Sequence, residues 1–150
     1  MIKFKIPGNP PRTTSQEKGV TIQNGRPVFY TPAKLRQAEN SYLNSVWPYR
    51  PEEPITGAVA LFVTFTFATK EKKKWHKPKT TRPDTDNMIK ALKDVLTAAG
   101  FWKDDALIAR EVVSKDWGET GSTEITIVDI DKARRDAEML AAQINAGANK

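Results

Sequence analysis

Apolar residues alternate with polar or small ones most regularly between residues 58 and 67. A period of two places successive side chains on opposite faces of an extended chain and is typical of a strand with one buried face. A shorter alternation over residues 2–6 ends at Pro7-Gly8 and predicts a first strand. On the buried face of the longer strand we expect Val59, Leu61, Val63, Phe65 and Phe67.

Two segments repeat apolar residues every three or four positions, which is the spacing of one helix face. The first begins at Thr31-Pro32, a capping residue followed by a first-turn proline, and Pro48 prevents its continuation. The second covers roughly residues 85–99 and ends at Gly100. The sequence therefore predicts two amphipathic helices, one before and one after the strand predicted at residues 58–67.

The C-terminal third predicts two more strands and a helix. Residues 106–117 and 123–130 have strand-like patterns and are joined around Gly118 and Gly121, which predicts a hairpin. A last helix is expected over residues 131–147. We expect its buried face to consist of Ala133, Ala137, Leu140, Ala141 and Ile144.

The predicted order of elements is β-α-β-α-β-β-α, with residues 9–25 forming a long polar loop. The sequence contains no internal repeat and no stretch typical of a domain boundary. We therefore expect one α+β domain over residues 1–150, in which a small mixed or antiparallel sheet packs against about three helices.

The composition excludes several classes of site and location. The chain has no cysteine and one histidine, His76, which excludes disulfides, thiolate zinc sites and multi-histidine metal sites. The lack of cysteine fits a cytoplasmic protein. No apolar run approaches the roughly 20 residues of a membrane-spanning helix, and the N-terminus lacks a signal-peptide pattern. We therefore expect no membrane partner. Because glycine-rich phosphate-binding motifs are absent, we also expect no nucleotide cofactor.

Positive charge is concentrated in one segment. Residues 70–82 contain seven cations and one acid, Glu71, so this segment alone carries the net charge of +6 that the whole chain has. Trp75 and His76 lie among the cations, and this mixture suits a phosphate backbone with an unstacked base. A solvated loop that merely aids solubility explains the charge equally well. The cations are Lys70, Lys72, Lys73, Lys74, Lys77, Lys79 and Arg82.

The second predicted helix has a polar face whose side chains could bind a ligand or take part in catalysis. At about 100° per residue, Lys90, Asp94 and Asn87 fall within about 100° of Asp86, opposite the apolar residues. Asp84 and Asp86 stand at the helix start, where free N–H groups favour negative charge. The apolar residues of the opposite face are Met88, Ile89, Leu92, Val95, Leu96 and Ala99.

Asp104 and Asp105 follow this helix, and the spacing alone does not show whether they return to Asp86. Each acid taken alone fits an ordinary helix cap or surface turn. Together, carboxylates without histidine or cysteine suit a hard cation such as Mg²⁺ or Mn²⁺, which can activate water and neutralise a phosphoryl oxygen. Lys90 beside them could hold the phosphate or stabilise its charge in the transition state.

These residues closely resemble a motif of the RusA family of Holliday junction resolvases, small magnesium-dependent endodeoxyribonucleases of bacteria and their prophages. The resemblance is continuous from Arg82 to about Ile108 and looser towards both ends. It implies that Asp84, Asp86 and Asp105 are metal-binding catalytic acids and that Lys90 is an essential lysine, with secondary roles for Asp104 and Asn87. The motif reads Asp84-x-Asp86-Asn87-x-x-Lys90, then Gly100-Phe101-Trp102-Lys103-Asp104-Asp105.

The resemblance also implies a homodimer that cuts two opposed strands of a four-way junction. The lysine-dense segment departs from the best-known members, so the preferred substrate can differ. The alternatives are a non-catalytic module that binds branched DNA and a nuclease whose target is a flap or a replication fork. The residues that we predict to contact DNA are Arg12, Lys72, Lys73, Lys74, Lys77, Lys79 and Arg82.

Overall fold

A computed structural model describes residues 1–12 and 19–148. A four-stranded sheet has the order β1-β6-β4-β5, and a separate two-stranded sheet pairs β2 with β3. The α+β class and the mixed sheet are as predicted. The strands are β1 (Ile2–Pro7), β2 (Gly19–Gln23), β3 (Arg26–Tyr30), β4 (Val59–Ala68), β5 (Ile108–Gly118) and β6 (Ser122–Asp129), and the helices are α1 (Ala33–Val46), α2 (Thr85–Ala98) and α3 (Ile130–Ala148).

The core lies between the sheet and helices α1 and α2. The alternate residues of β4 predicted to be buried, from Val59 to Phe67, are all buried. Leu35, Tyr42 and Val46 of α1 cover one part of this face. The six apolar residues predicted on α2 are also buried, and Ala99 is followed by Gly100 with φ +84°. The apolar face of α2 therefore packs on the sheet, which leaves its opposite face exposed.

The predicted hairpin between β5 and β6 is wrong, although both strands exist. β4 lies between them: Val63 pairs with Val113 of β5 in parallel and with Ile125 of β6 in antiparallel orientation. The reason is burial, since β4 is the most apolar strand and is best placed in the middle of the sheet. The short connection after Gly118 therefore crosses the end of β4 instead of forming a tight turn. At this crossing the N–H of Thr69 donates to the carbonyl oxygen of Gly118 at 2.9 Å.

The predicted loop over residues 9–25 is also partly wrong. Residues 13–18 lie outside the described part, but Gly19–Gln23 forms β2 and pairs with β3. The turn between them is Asn24-Gly25, both with positive φ, at 51° and 74°. Asn-Gly is a strong signal for a two-residue hairpin turn, so this hairpin was recognisable in the sequence.

Helix α3 does not bury the face predicted for it. The five residues named above are all exposed, with Leu140 at 58% and Ile144 at 62%. Among the described residues, hydrogen bonds attach only its first turn to the rest of the fold: Ile130 donates to the carbonyl of Ala58 at 2.8 Å, and the Ala58 N–H donates to Asp131 at 3.0 Å. The helix begins directly after β6, so no loop turns it back over the sheet. No helix within the described ranges is long and apolar enough to cross a membrane.

Candidate active site

The start of α2 presents two exposed carboxylates. Asp84 occupies the capping position with extended backbone, but its side chain accepts no capping hydrogen bond. Asp86 lies in the first turn, and both side chains are exposed. Within residues 1–12 and 19–148, neither carboxylate forms an ion pair within 4 Å. Helix capping therefore does not account for Asp84.

The exposed face of α2 continues from these acids as predicted. Lys90 is exposed one turn after Asp86, and Asn87 is half-buried beside it. Lys90 forms no ion pair in the part of the chain that the structure describes, whereas Lys93 on the flank of the helix pairs with Glu111 of β5 at 2.9 Å. The Lys90 side chain is thus exposed to solvent one helical turn from Asp86.

Asp104 and Asp105 lie at the other end of α2. The Asp104 carboxylate accepts from the N–H of Ala106 at 2.8 Å and caps the short helical turn Asp105–Leu107. Asp105 is exposed and lines a shallow depression with Asp94 and Thr97 of the last turns of α2. Asp104, for which a secondary role is predicted, therefore uses its carboxylate in a local capping hydrogen bond.

One chain does not bring the three predicted metal ligands together. Asp86 and Thr97 are eleven residues apart, which is about 16 Å along a helix axis. Strand β5 does run back beside α2, and its residue Lys115 contacts Pro83 at the start of the helix. Asp105 precedes this strand and lies at the opposite end of α2. Among residues 1–12 and 19–148 there is no group of three or more possible metal ligands. The oxygen-only donors Asp84 and Asp86 fit Mg²⁺, but two carboxylates are an incomplete set.

The basic segment lies at the same end of the fold as Asp84. Its residues 76–79 pair with the end of β5, where the N–H of Lys79 donates to the carbonyl of Lys115 at 2.8 Å. The guanidinium of Arg12 lies 5.9 Å from the ring centre of Phe67, near the end of β4. The structure therefore gathers Arg12, the basic segment and the start of α2 around one end of the sheet.

Within the basic segment, part of the charge is compensated. Lys74 and Lys73 pair with Glu71 at 2.5 and 3.8 Å, and the hydrogen bond from Lys74 lowers the pKa of Glu71. The indole of Trp75 is half-buried and donates to the carbonyl of Thr69 at 2.9 Å. Lys72 and Lys77 remain exposed. The segment thus has a defined conformation, in which the indole N–H of Trp75 is engaged by a hydrogen bond within the chain.

Two lysines differ from the sequence prediction. Lys79 is only 4% exposed and its ammonium donates to the carbonyls of Thr81 and Arg82, so the predicted DNA contact does not fit its position. Burial lowers the pKa of Lys79, and the nearby cations Lys115 and Arg12 add to this. Lys115, for which the sequence predicted no role, donates to the carbonyl of Thr81 at 2.7 Å. A lone lysine in a strand gives no sequence signal for such a role.

The chain is similar to known proteins over most of its length. The family model described as Endodeoxyribonuclease RusA matches residues 7–128. A "Crossover junction endodeoxyribonuclease rusA" of Lactococcus phage r1t is 34% identical over 122 residues, covering 79% of this chain and 90% of the relative. An uncharacterized protein, YqaN of Bacillus subtilis, is 31% identical over 140 residues, covering 86% of this chain and 96% of the relative.

A shorter match agrees with these. The "Crossover junction endodeoxyribonuclease RusA" of Escherichia coli K12 is 43% identical over 56 residues, covering 37% of this chain and 47% of the relative. The family match extends from the end of β1 almost to the end of β6 and includes α2 with both of its acidic ends. The chain therefore belongs to the RusA family of endodeoxyribonucleases.

Proposed function

We propose that the protein is a magnesium-dependent, structure-selective endodeoxyribonuclease that resolves four-way DNA junctions by paired phosphodiester hydrolysis. The observation that carries this proposal is the pair of exposed carboxylates of Asp84 and Asp86, which form no ion pair among the described residues and lie at the same end of the fold as the basic segment. A protein that only binds DNA gains nothing from free carboxylates near a phosphate backbone, because like charges repel. The names of the phage and E. coli relatives support the junction as the substrate.

In this proposal Asp84, Asp86 and Asp105 hold the metal, for which Mn²⁺ can substitute. When bound, the cation would supply Lewis-acid chemistry for phosphodiester hydrolysis. Lys90 contacts the phosphate at the cleavage position and stabilises its added negative charge. Arg12, Arg82 and the exposed lysines of the basic segment hold the flanking phosphates, which positions the strand at the start of α2.

We further propose that the enzyme is a homodimer whose active sites combine both subunits. In one chain Asp105 lies at the opposite end of α2 from Asp84 and Asp86, so a second copy is needed to supply the third ligand. A two-fold enzyme also suits paired cuts in a two-fold junction. The exposed apolar residues of α3, including Leu140 and Ile144, offer a surface that a second copy can cover.

Mixing two inactive variants tests the shared site. We expect Asp84→Asn and Asp105→Asn each to be inactive, whereas a mixture allowed to exchange subunits regains nicking of one strand. In a mixed dimer with shared sites, one site has both substitutions and the other has none. Nicking of a labelled junction is the measurement, with each variant alone as the control. A mixture that stays inactive, or light scattering that shows only monomers with and without DNA, would contradict the shared site.

Substrate selection distinguishes the proposal from its alternatives. Labelled four-way junction, flap, fork and duplex DNA are incubated with the protein in the presence and absence of Mg²⁺. We expect symmetrical cleavage of the junction with Mg²⁺ and only binding without it. Cleavage confined to flaps or forks would support the alternative nuclease, and binding without cleavage of any substrate would support the non-catalytic module.

The basic segment is expected to supply salt-dependent binding. Replacing Lys72, Lys73 and Lys74 with glutamine should weaken junction binding and reduce the slope of log affinity against log salt by up to about three, one for each lost phosphate contact. We expect the smaller share from Lys73 and Lys74, since both already pair with Glu71. Gel-shift titration at several salt concentrations measures the slope.

The matched control changes the same net charge elsewhere. Replacing Lys3, Lys5 and Lys34 with glutamine also lowers the net charge from +6 to +3, because three cations are removed. These lysines lie in β1 and α1, whereas the basic segment pairs with β5. Equal slopes for the two triple variants would show that overall charge, and not this segment, determines binding.

A further inference from the structure

Lys115 of β5 holds the backbone that leads into the candidate active site. Its ammonium donates to the carbonyl oxygen of Thr81 at 2.7 Å and to that of Pro83 at 2.6 Å. Asp84 follows Pro83 directly and begins α2. Hydrogen bonds from a charged donor are shorter and stronger than neutral ones, so Lys115 fixes this segment firmly against the sheet.

Lys79 holds the same segment from the other side. Its ammonium donates to the carbonyl of Thr81 at 2.9 Å and to the carbonyl of Arg82. The charge lies 4.7 Å from the ring centre of Trp117 and 5.0 Å from that of Phe67, which is the range of a cation–π contact. The carbonyls of residues 81, 82 and 83 are therefore all bound by lysine side chains.

Both lysines are anchored in the sheet. The N–H of Lys79 donates to the carbonyl of Lys115 at 2.8 Å, and the N–H of Trp117 donates to the carbonyl of Lys77 at 2.9 Å. The two ammonium groups therefore extend from neighbouring points of paired backbone. Their distance from the carbonyls of residues 81–83 is determined by the sheet, whereas these residues themselves belong to no strand or helix.

Stability does not explain this arrangement. Within the described residues neither lysine has an acidic partner within 4 Å, whereas the half-buried Lys93 pairs with Glu111. Burying a cation without a counter-ion is unfavourable, and placing a second cation near it adds repulsion. An apolar side chain of similar length at position 79 would pack between the two rings without this penalty.

We propose that Lys79 and Lys115 are positioning residues for the nuclease site: they fix the carbonyls of residues 81–83 and thereby the point at which Asp84 and Asp86 enter α2. The inference rests on the proposed function, since it gives these two acids their role. A displacement of about 1 Å is enough to lower a catalytic rate about a hundredfold. The lysines act on the chemistry through the backbone and contact neither the metal nor the DNA.

The test uses Lys115→Met and Lys79→Met, which keep the length of the side chain and remove the charge. For each we expect kcat on a four-way junction to fall about a hundredfold. We expect KM and metal-free junction affinity to stay within about threefold, because Arg82 is the one proposed DNA contact in residues 81–83 and the other DNA-binding groups are unchanged. For Lys79→Met the Tm should equal or exceed that of the parent, because the variant removes a buried cation that has no acidic partner among the described residues.

Chemical rescue gives a second readout. Because the chain has no cysteine, Lys115→Cys introduces a single thiol. Alkylation with 2-bromoethylamine rebuilds an ammonium at nearly the same distance from the backbone, whereas iodoacetamide adds a neutral group of similar size. We expect the first reagent to restore kcat and the second to leave it low. A purely structural role predicts lost stability in both Met variants and no dependence on the charge of the reagent.

Lys93→Met is the matched control, since Lys93 is also half-buried and also joins α2 to β5, but it pairs with Glu111. We expect its kcat to remain at the parental value. Parental kcat in both Lys115→Met and Lys79→Met, or equal rescue by both reagents, would overturn the positioning role and leave the nuclease proposal intact. A parent protein that cuts no junction would overturn the proposed function and this inference with it.

Discussion

Asp84→Asn, Asp86→Asn and Asp105→Asn are each expected to eliminate metal-dependent cleavage, by about a thousandfold or more. Asparagine keeps the shape of aspartate but lacks the charge that holds a hard cation. All three side chains are exposed, and Asp84 and Asp86 form no ion pair in the described residues, so the fold should tolerate the changes. The measurement is cleavage of a labelled four-way junction over a series of Mg²⁺ concentrations.

Binding to the junction without metal should persist in the same three proteins, and it should tighten. Each substitution deletes a negative charge near the phosphates, and like charges at close range repel. Glu119→Gln is the control, because it removes the same charge from an exposed position outside the motif. Wild-type cleavage by any one variant would show that its acid is not a ligand. Loss of metal-free binding in all three folded variants would mean that the acids serve structure.

Lys90→Ala is expected to lower kcat about a hundredfold to a thousandfold, the effect of removing a donor that stabilises transition-state charge. Stability should be unchanged or slightly higher, since Lys90 is exposed, forms no described ion pair and is replaced by the best helix former. Single-turnover cleavage and thermal unfolding of the purified variant are the measurements.

Lys34→Ala provides the comparison for Lys90, because Lys34 is also an exposed helical lysine but lies on α1. We expect it to cut at the parental rate. Near-normal turnover by Lys90→Ala would contradict the catalytic role of this lysine, even if the three acids behave as predicted. A clear fall in Tm together with the loss of activity would instead indicate that Lys90 supports the helix.

Local patterns in the sequence determined the elements and the polar face of α2. The alternation that predicted a strand at residues 58–67 corresponds to β4, and the helical spacing with Gly100 correctly placed the end of α2. These predictions hold because side-chain direction follows from backbone period, which residues close in sequence determine alone. The exposure of Asp86 and Lys90 follows in the same way, since the opposite face of the helix is apolar.

Partners distant in sequence were decided only by the tertiary structure. The patterns of β5 and β6 are equally compatible with a hairpin, and only competition for the buried centre of the sheet placed β4 between them. The spacing of α3 predicted an apolar face but not its partner, and in one chain that face is exposed. An amphipathic pattern indicates that the apolar face of a helix favours contact with another apolar surface, but it does not identify that surface.

The candidate site shows the same division. The motif itself, with Asp84 at the helix start and Asp86 and Lys90 on one face of the helix, was determined by sequence. The position of Asp105 at the far end of α2 depends on where β5 lies, and the contacts of Lys115 with residues 81–83 depend on the pairing of residues 76–79 with that strand. A lysine carries no local sign of whether its charge meets solvent, DNA or backbone carbonyls, because that is determined by the elements that pack around it.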